Sequence, residues 1–161
     1  MVHPRLQVGL ISDTHGLLRP EATAALRGSK FIVHAGDIGD SSILDRLSKI
    51  APTTAVRGNN DKGEWASRIP ETEVLQVGAV LIYVVHDLAE LDIDPAAGGF
   101  HVVVSGHSHQ PAFNWRDDVL FINPGSAGPR RFKLPVSVAT LTIAHEAITP
   151  RLVELNVHSN A

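Results

Sequence analysis

The sequence predicts an α/β fold in which two packed sheets carry helices on their outer faces. Early in the chain, apolar runs alternate with polar loops and helical patterns, which is typical of parallel β-α-β units. From Thr72 onward, apolar runs come in pairs separated by short turns, which is typical of hairpins. The length of 161 residues suits one domain, so we expect a single domain over residues 1–161.

The first half of the chain is expected to hold three strands and two helices. The predicted strands are short aliphatic runs that end in turn-forming residues, and they cover Leu6–Ser12, Lys30–His34 and Thr53–Val56. Pro20 suits the first turn of one helix, and Gly28 suits its end. A second helix can begin at Asp40, with an apolar stripe of Ile43, Leu44, Leu47 and Ile50.

The second half is expected to hold three hairpins and one further strand. The hairpins pair residues 72–77 with 80–86, 113–115 with 119–123, and 136–143 with 148–155. The further strand covers His101–Ser105. These runs complete the two sheets.

Composition excludes several classes of protein. The chain contains no cysteine, which excludes disulfides and thiolate metal sites and permits the cytoplasmic location that we expect. Its longest apolar run, residues 79–85, is far shorter than a membrane span, and no secretory signal is apparent. A net charge of −3 disfavours nucleic acid or anionic lipid as the main partner.

Residues that can bind a metal ion follow five of the predicted strands, most of them next to a glycine. Open α/β sheets place their sites at the carboxyl ends of strands. In an extended segment, residues i and i+2 point the same way, so Asp13 and His15 can address one point, as can His107 and His109. The full set exceeds what one ion needs and fits two metals that share Asp37: Asp13, His15, Asp37, Asn59, His86, His107 and His109.

Each motif taken alone has an ordinary structural explanation. Asp-x-His and Gly-Asp both fit common turns, and Asn59 beside Asn60 fits turn chemistry. A single histidine at a strand end is more often a polar surface residue than a ligand. The metal hypothesis therefore depends on the number and order of the motifs, each after an apolar run.

In this order the motifs resemble those of the calcineurin-like metallophosphoesterases. Asn123-Pro-Gly-Ser126 and the Gly-Pro-Arg-Arg segment that ends at Arg131 resemble the small YfcE-type phosphodiesterases in particular, and the resemblance extends from Val8 to Leu155. It implies a four-layer α-β-β-α sandwich. It also implies that Asp13, His15, Asp37 and His109 bind one metal, while Asp37, Asn59, His86 and His107 bind the other.

The function implied by the resemblance is hydrolysis of a small phosphodiester by in-line attack of a hydroxide that bridges two metals. Asp37, Asn59 and His107 would then be catalytic through the metals they hold. Mixed carboxylate and imidazole ligands favour Mn²⁺, Fe, Zn²⁺ or Co²⁺ over Ca²⁺, and the resemblance favours Mn²⁺.

Two departures from the family pattern bear on rate and specificity. Larger members carry Gly-Asn-His-Asp, whereas this chain has Asn60 in place of that histidine, and an amide cannot act as a general acid. We expect Asp61 beside it to have a structural role in the loop. Asp87 follows His86 where relatives have glycine, and it would repel an anionic substrate unless it turns away or finds a partner.

Supporting roles are open for several other residues. His34 can lie behind the ligands or be an ordinary strand histidine, Arg57 can line the cleft, and Arg130 with Arg131 can contact phosphate or solvent alone. Asn123 and Ser126 are expected to shape their loop. The histidines outside every motif are expected to be ordinary surface or strand residues: His3, His101, His145 and His158.

Two further functions compete with the phosphodiesterase hypothesis. One relative of the family is a retromer scaffold subunit that lacks some ligating histidines, and a protein-binding role or a homodimer is possible here through an apolar surface patch. The same site can also act on phosphomonoesters or cyclic nucleotides. All seven expected ligands are present in this chain, which favours the enzyme.

Overall fold

The computed structural model describes residues 4–131 and 133–157. His3 and His158 lie outside the described residues. The described part contains ten strands, three α-helices and one 3-10 turn: β1 (Arg5–Ile11), α1 (Pro20–Leu26), β2 (Phe31–His34), α2 (Ser41–Ser48), β3 (Thr53–Ala55), α3 (Glu64–Ser67), β4 (Thr72–Val77), β5 (Val80–Val85), the 3-10 turn (Leu88–Glu90), β6 (Val102–Val104), β7 (Ala112–Arg116), β8 (Val119–Asn123), β9 (Ser137–Ala144) and β10 (Ala147–Glu154).

The strands form two mixed sheets of five. The first has the order β10-β9-β1-β2-β3, and the second has the order β4-β5-β6-β8-β7. In the first sheet β1, β2 and β3 run parallel. In the second sheet β5, β6 and β8 run parallel. The antiparallel strands lie at the sides of these parallel sets, so each sheet presents three carboxyl ends together.

Aliphatic side chains fill the space between the two sheets. Val8 and Leu10 from the first sheet belong to the same cluster as Ile82, Val104 and Leu120 from the second, and all five have no exposed surface. Burial of each such side chain stabilises the fold by about 1.5–3 kcal/mol. This layer fixes how the two sheets face each other.

The helices cover the outer face of the first sheet. Leu26 of α1 packs close to β1, where a Cβ on Gly9 would lie 2.7 Å from its Cδ2 atom. The helix α2 begins at Ser41, and Asp40 caps it as predicted, because the Asp40 Oδ1 atom accepts a hydrogen bond from the Ser42 backbone. The helix ends at Ser48, so Ile50, which was predicted to belong to its apolar stripe, lies beyond the helix.

The outer face of the second sheet has a thinner cover. Tyr83 and Val103 are buried there beneath Leu91 and Phe100, which come from the loop after the 3-10 turn. Every residue of β7 is exposed.

The predicted α/β class with two packed mixed sheets is confirmed. The cover of the second sheet is a 3-10 turn and a loop among the described residues, rather than a long helix. Sequence analysis did not predict α3 or the 3-10 turn, because segments of three or four residues are too short to show a helical period. None of the helices in residues 4–131 and 133–157 has the length and apolar character needed to cross a membrane.

Candidate metal centre

All seven predicted ligands lie just beyond the carboxyl ends of parallel strands, at one edge of the sandwich. They follow five strands: Asp13 and His15 follow β1, Asp37 follows β2, Asn59 follows β3, His86 follows β5, and His107 and His109 follow β6. Because these strands run parallel within their sheets, their ends meet, as the sequence predicted.

The first group of possible ligand atoms comes from Asp13, His15 and His109. The Asp13 Oδ1 atom lies 3.3 Å from His109 Nε2 and 3.7 Å from His15 Nε2. The two imidazole rings are 5.4 Å apart at their centroids. Each residue offers one ligand atom within 4.8 Å of the others, close enough to bind one ion.

The second group is formed by Asp13, Asp37 and His86. The His86 Nε2 atom lies 3.3 Å from Asp37 Oδ2 and 3.0 Å from Asn59 Oδ1. The same Asn59 oxygen is 3.2 Å from His107 Nδ1. Asp37 Oδ2 is also 3.7 Å from His15 Nε2, so this carboxylate lies between the two groups.

Three buried polar atoms in the described residues have no hydrogen-bond partner: Asp13 Oδ1, His15 Nε2 and His109 Nδ1. A buried polar atom without a partner costs about 1–3 kcal/mol, so native proteins rarely keep one. All three belong to residues of the first ligand group, although the His109 atom beside Asp13 Oδ1 is Nε2 rather than Nδ1. Asp13 Oδ1 and His15 Nε2 are a carboxylate oxygen and an imidazole nitrogen, and this donor set fits a divalent transition metal.

Five of the seven candidate ligands have a left-handed backbone: Asp13, His15, Asp37, His107 and His109 have φ between 45° and 73°. Such residues cost about 1–3 kcal/mol each and are concentrated at functional sites. The extended geometry assumed for Asp13-x-His15 and His107-x-His109 is therefore wrong, although each pair still converges. Backbone bonds hold the turn, such as His15 N–H to Asp37 C=O at 2.9 Å.

Glycines beside the ligands allow the loops to approach one another closely. A Cβ on Gly58 would collide with the backbone N and Oδ1 atoms of Asp37. A Cβ on Gly106 would collide with Ser12 Oγ and lie 2.7 Å from Asp13 Oδ2. The Gly-Asn and Gly-His motifs therefore contain glycine because no side chain fits there.

The site is arranged to keep its carboxylates ionised. Burial alone would raise the pKa of Asp13, but the nearby His109 imidazole and the hydrogen bond from Ser12 hold it below its usual value. Burial opposes ionisation of Asp37 too, yet His86 and the Asn60 backbone hold its pKa well below the usual range. Burial lowers the pKa of His86, and the bond to Asp37 more than offsets this and raises it.

His34 is a satisfied, fully buried histidine that joins two ligand loops. Its Nδ1 atom accepts from the Gly36 N–H at 3.1 Å, which leaves Nε2–H to donate to Thr14 Oγ1 at 3.0 Å. Thr14 in turn donates to the Ile38 carbonyl. Burial lowers the pKa of His34 to about 4, so this histidine is neutral at physiological pH.

Asn60, the first departure from the family pattern, and its neighbour Asp61 both form hydrogen bonds within the ligand loops. Asn60 donates from its backbone N–H and from Nδ2 to Asp37, at 2.8 and 3.0 Å. Asp61 accepts bonds from the backbone of Gly58, Ile38 and Gly39, which is the structural loop role expected of it.

Asp87 partly turns away from the centre. Its Oδ1 atom caps the 3-10 turn by accepting from Ala89 N–H at 3.0 Å, and its Oδ2 atom lies 3.7 Å from His107 Nε2. The carboxylate therefore lies beside a histidine that is itself a candidate ligand.

The remaining residues singled out in the sequence divide into two sets. Asn123 and Ser126 shape the loop as expected, since Asn123 Nδ2 donates to Gly106 C=O and Ser126 Oγ donates to Asp13 C=O. Arg57 lines a cavity with Asn59 and His86 while it pairs with Glu71 at 2.8 Å.

Arg130, Arg131, His101 and His145 complete the set of residues singled out in the sequence. Arg130 is exposed and donates to the Leu134 carbonyl, and Arg131 is exposed as well. His101 accepts from the Leu81 backbone N–H, and His145 lies in the turn between β9 and β10.

Ser12 is a supporting residue that sequence analysis missed. Its hydroxyl donates to Asp13 Oδ2 at 2.6 Å, and the His107 backbone N–H donates to the same oxygen at 3.1 Å. These bonds turn Oδ1, the unpartnered atom, toward the histidines. A polar residue directly after the buried end of β1, residues 8–11, was the available signal.

Comparisons with a family profile and with individual proteins point to the same family. A profile of the calcineurin-like phosphoesterase superfamily domain matches residues 6–146. A probable metallophosphoesterase of Methanothermobacter thermautotrophicus is 35% identical over 157 residues, which cover 91% of each chain. A phosphodiesterase of Methanocaldococcus jannaschii is 27% identical over 139 residues, covering 74% of this chain and 83% of that protein.

A solved structure shares the fold at lower identity. Vacuolar Protein Sorting 29 from Cryptosporidium parvum has a TM-score of 0.74 and 18% identity, covering 95% of this chain and 99% of that one.

Proposed function

The chain belongs to the calcineurin-like phosphoesterase superfamily, and on that premise we propose that it is a phosphodiesterase that depends on two divalent metal ions. The observation that carries the proposal is the pair of ligand groups at the sheet edge, with unpartnered buried atoms in one and Asp37 between them.

Each ion would be held by four side chains. Asp13, His15, Asp37 and His109 would hold one, and Asp37, Asn59, His86 and His107 would hold the other. The His86 Nδ1–H bond to the Ala35 carbonyl, at 2.7 Å, supports this assignment because it directs Nε2 toward Asp37 and Asn59. Mn²⁺ is the ion we expect. Bound ions would supply charge neutralisation for the phosphoryl oxygens and would lower the pKa of a water molecule.

The chain's own residues would limit the choice of leaving group. Asn60 occupies the position where larger family members have a histidine, and its amide donates to Asp37. No proton is available from this side chain near neutral pH, so good leaving groups should react fastest. We therefore propose a small or activated phosphodiester as the substrate, in preference to a phosphomonoester or a cyclic nucleotide.

The test is hydrolysis of bis-p-nitrophenyl phosphate with Mn²⁺ by the wild-type protein and by Asp37→Ala. We expect a loss of at least about 100-fold, since even partners that only orient a ligand cost 10–100-fold. Asp45→Ala, the same substitution on the exposed face of α2, is the matched control and should keep full activity. Equal turnover by wild type and Asp37→Ala would remove the proposal.

A non-catalytic scaffold role is the second candidate, because the chain shares its fold with Vacuolar Protein Sorting 29. The complete ligand set favours the enzyme over this role. The cytoplasmic location and the homodimer stay predictions. Measurement of the mass of the purified protein by size-exclusion chromatography with light scattering tests the dimer, and a monomer would contradict it.

A further inference from the structure

A cavity of about 280 Å³ lies beside the candidate metal centre. It opens on the outer face of the second sheet, where Phe121 of β8 and Asn114 of β7 are paired in register. Leu88 from the 3-10 turn forms one wall. His107 lines the cavity as well, so this space is continuous with the second ligand group.

The lining of the cavity disfavours a second anionic group. It contains no lysine or arginine, and its ionisable side chains are Asp87 and His107. Leu88, Ala112 and Phe121 supply apolar surface. Arg116 lies outside this lining, with its guanidinium 4.2 Å from the centroid of the Phe121 ring. A charged phosphate arm would lose its hydration in the cavity without a lining cation to replace it, whereas a neutral group needs no such cation.

Leu88 gives the wall of the cavity exposed apolar surface. Leu88 belongs to the 3-10 turn and is 37% exposed. A flat apolar group placed between Leu88 and the part of the Phe121 ring that Arg116 leaves uncovered would remove apolar surface from water, at about 25 cal/mol for each Å² buried.

Two amide side chains give the cavity hydrogen-bonding capacity. Gln110 and Asn114 are both exposed, and neither side chain makes a hydrogen bond within residues 4–131 and 133–157. An amide offers a donor pair and an acceptor together, which is the pattern that Asn and Gln use on the edges of bases.

We propose that this cavity binds the base of a nucleoside on one arm of the phosphodiester at the candidate metal centre, so that the substrate class is nucleoside phosphodiesters whose second ester arm is a good leaving group. The proposal rests on the proposed function for its chemistry. The volume, slightly below the 300–1,000 Å³ of sites for drug-sized ligands, suits one ring system with its sugar and excludes a longer polymer within the cavity.

The experiment measures equilibrium binding by calorimetry to the Mn²⁺-loaded protein, without turnover. The ligands are thymidine 5′-monophosphate, phenyl phosphate and methyl phosphate. For the wild type we expect thymidine monophosphate to bind about 10-fold more tightly than methyl phosphate. Equal affinities, or no binding of any of the three, would overturn the proposal.

Variants locate the binding to this cavity. Leu88→Ser should remove the preference for thymidine monophosphate over methyl phosphate. Ile93→Ser is the matched control, because Ile93 is also 37% exposed but does not line this cavity, and it should keep the preference. Loss of the preference in both variants, or in neither, would contradict the assignment.

The amide variant separates a base from a plain aromatic ring. Asn114→Leu should weaken the binding of thymidine monophosphate several-fold and leave the affinity for phenyl phosphate unchanged, since only the base forms hydrogen bonds with the amide. Equal weakening of both ligands, or of neither, would overturn the assignment to a nucleobase. Hydrolysis of bis-p-nitrophenyl phosphate, measured separately, tells whether the proposed function fails independently of the cavity.

Discussion

The space between the two sheets and the edge that carries the candidate metal centre differ in how their buried atoms are satisfied. Between the sheets, side chains such as Leu10, Ile82 and Leu120 are fully buried among apolar neighbours. At the edge, Asp13 and His109 are almost as deeply buried, yet each has a polar atom without a partner. The two regions are a few residues apart along β1, which ends between Leu10 and Asp13.

The difference indicates which region is complete without a ligand. The interior gains all of its stabilisation from the chain itself. The edge holds left-handed backbones and buried polar atoms without a partner, and both lower the stability of the fold unless something binds there. Metal should therefore stabilise the edge, and substitutions in the two regions should respond to metal differently.

The largest change in stability is expected in the interior. Leu120→Ala removes a side chain with no exposed surface and should lower the free energy of unfolding by about 2–5 kcal/mol. Added Mn²⁺ should still raise the melting temperature by as much as in the wild type, because the ligands are untouched. Thermal unfolding with and without Mn²⁺ measures both effects. If Mn²⁺ no longer raised the melting temperature of Leu120→Ala, the interior and the edge would not be energetically independent.

The next largest effect concerns the edge. Saturating Mn²⁺ should stabilise the wild type by about 3 kcal/mol at 100 times its dissociation constant, which is roughly 5–10 °C for a chain of this size. Asp37→Asn keeps the shape of the side chain but removes the charge between the ligand groups, so it should lose most of this increment. An increment equal to that of the wild type would show that Asp37 holds no ion.

A pH-dependent effect of at most similar size is expected at His34. In the unfolded chain a histidine gains a proton below about pH 6.5. Folded His34 has a pKa of about 4, so it remains neutral until the pH falls to about 4. Neutral His34 therefore contributes stability that is fully present above pH 6.5 and is lost as the pH falls through 4. The loss amounts to about 3 kcal/mol at most.

His34→Gln keeps hydrogen-bonding capacity but does not titrate. Urea unfolding of the metal-free wild type and variant from pH 7 to pH 4 should give two curves that converge or cross as the pH falls. Parallel curves would contradict the burial of a neutral histidine behind the ligand loops.

The smallest effect is expected in the turn between β7 and β8. Asp117 and Asp118 are left-handed, with φ of 52° and 62°, but they lie in an exposed hairpin turn rather than at the metal centre. Asp118→Gly should change the free energy of unfolding by less than about 1 kcal/mol and leave the Mn²⁺ increment intact. A change in the increment would mean that left-handed residues outside the centre are coupled to it.

Sequence patterns predicted the strands and the meeting of the seven candidate ligands, because both depend on local signals. Apolar runs mark buried strands, and parallel strands bring their ends to one edge. The strand that precedes His86 shows the limit of this method, since it was expected to include His86 and ends at Val85. Boundaries depend on where the neighbouring strand stops pairing.

The features that were not predicted depend on contacts between distant parts of the chain. The left-handed backbone of Asp13 is set by bonds to the loop after β2, and its carboxylate is oriented by the backbone of His107. The partner of Asp87 is His107, a residue twenty positions away. No local pattern encodes such contacts, so the sequence predicted which residues meet but not how each one is held.

The central claim is that one edge of the sandwich holds two ions. Equilibrium dialysis of the purified protein against Mn²⁺, followed by elemental analysis, measures it most directly. We predict two moles of Mn²⁺ per mole of wild-type chain. A value of zero or one would contradict the account.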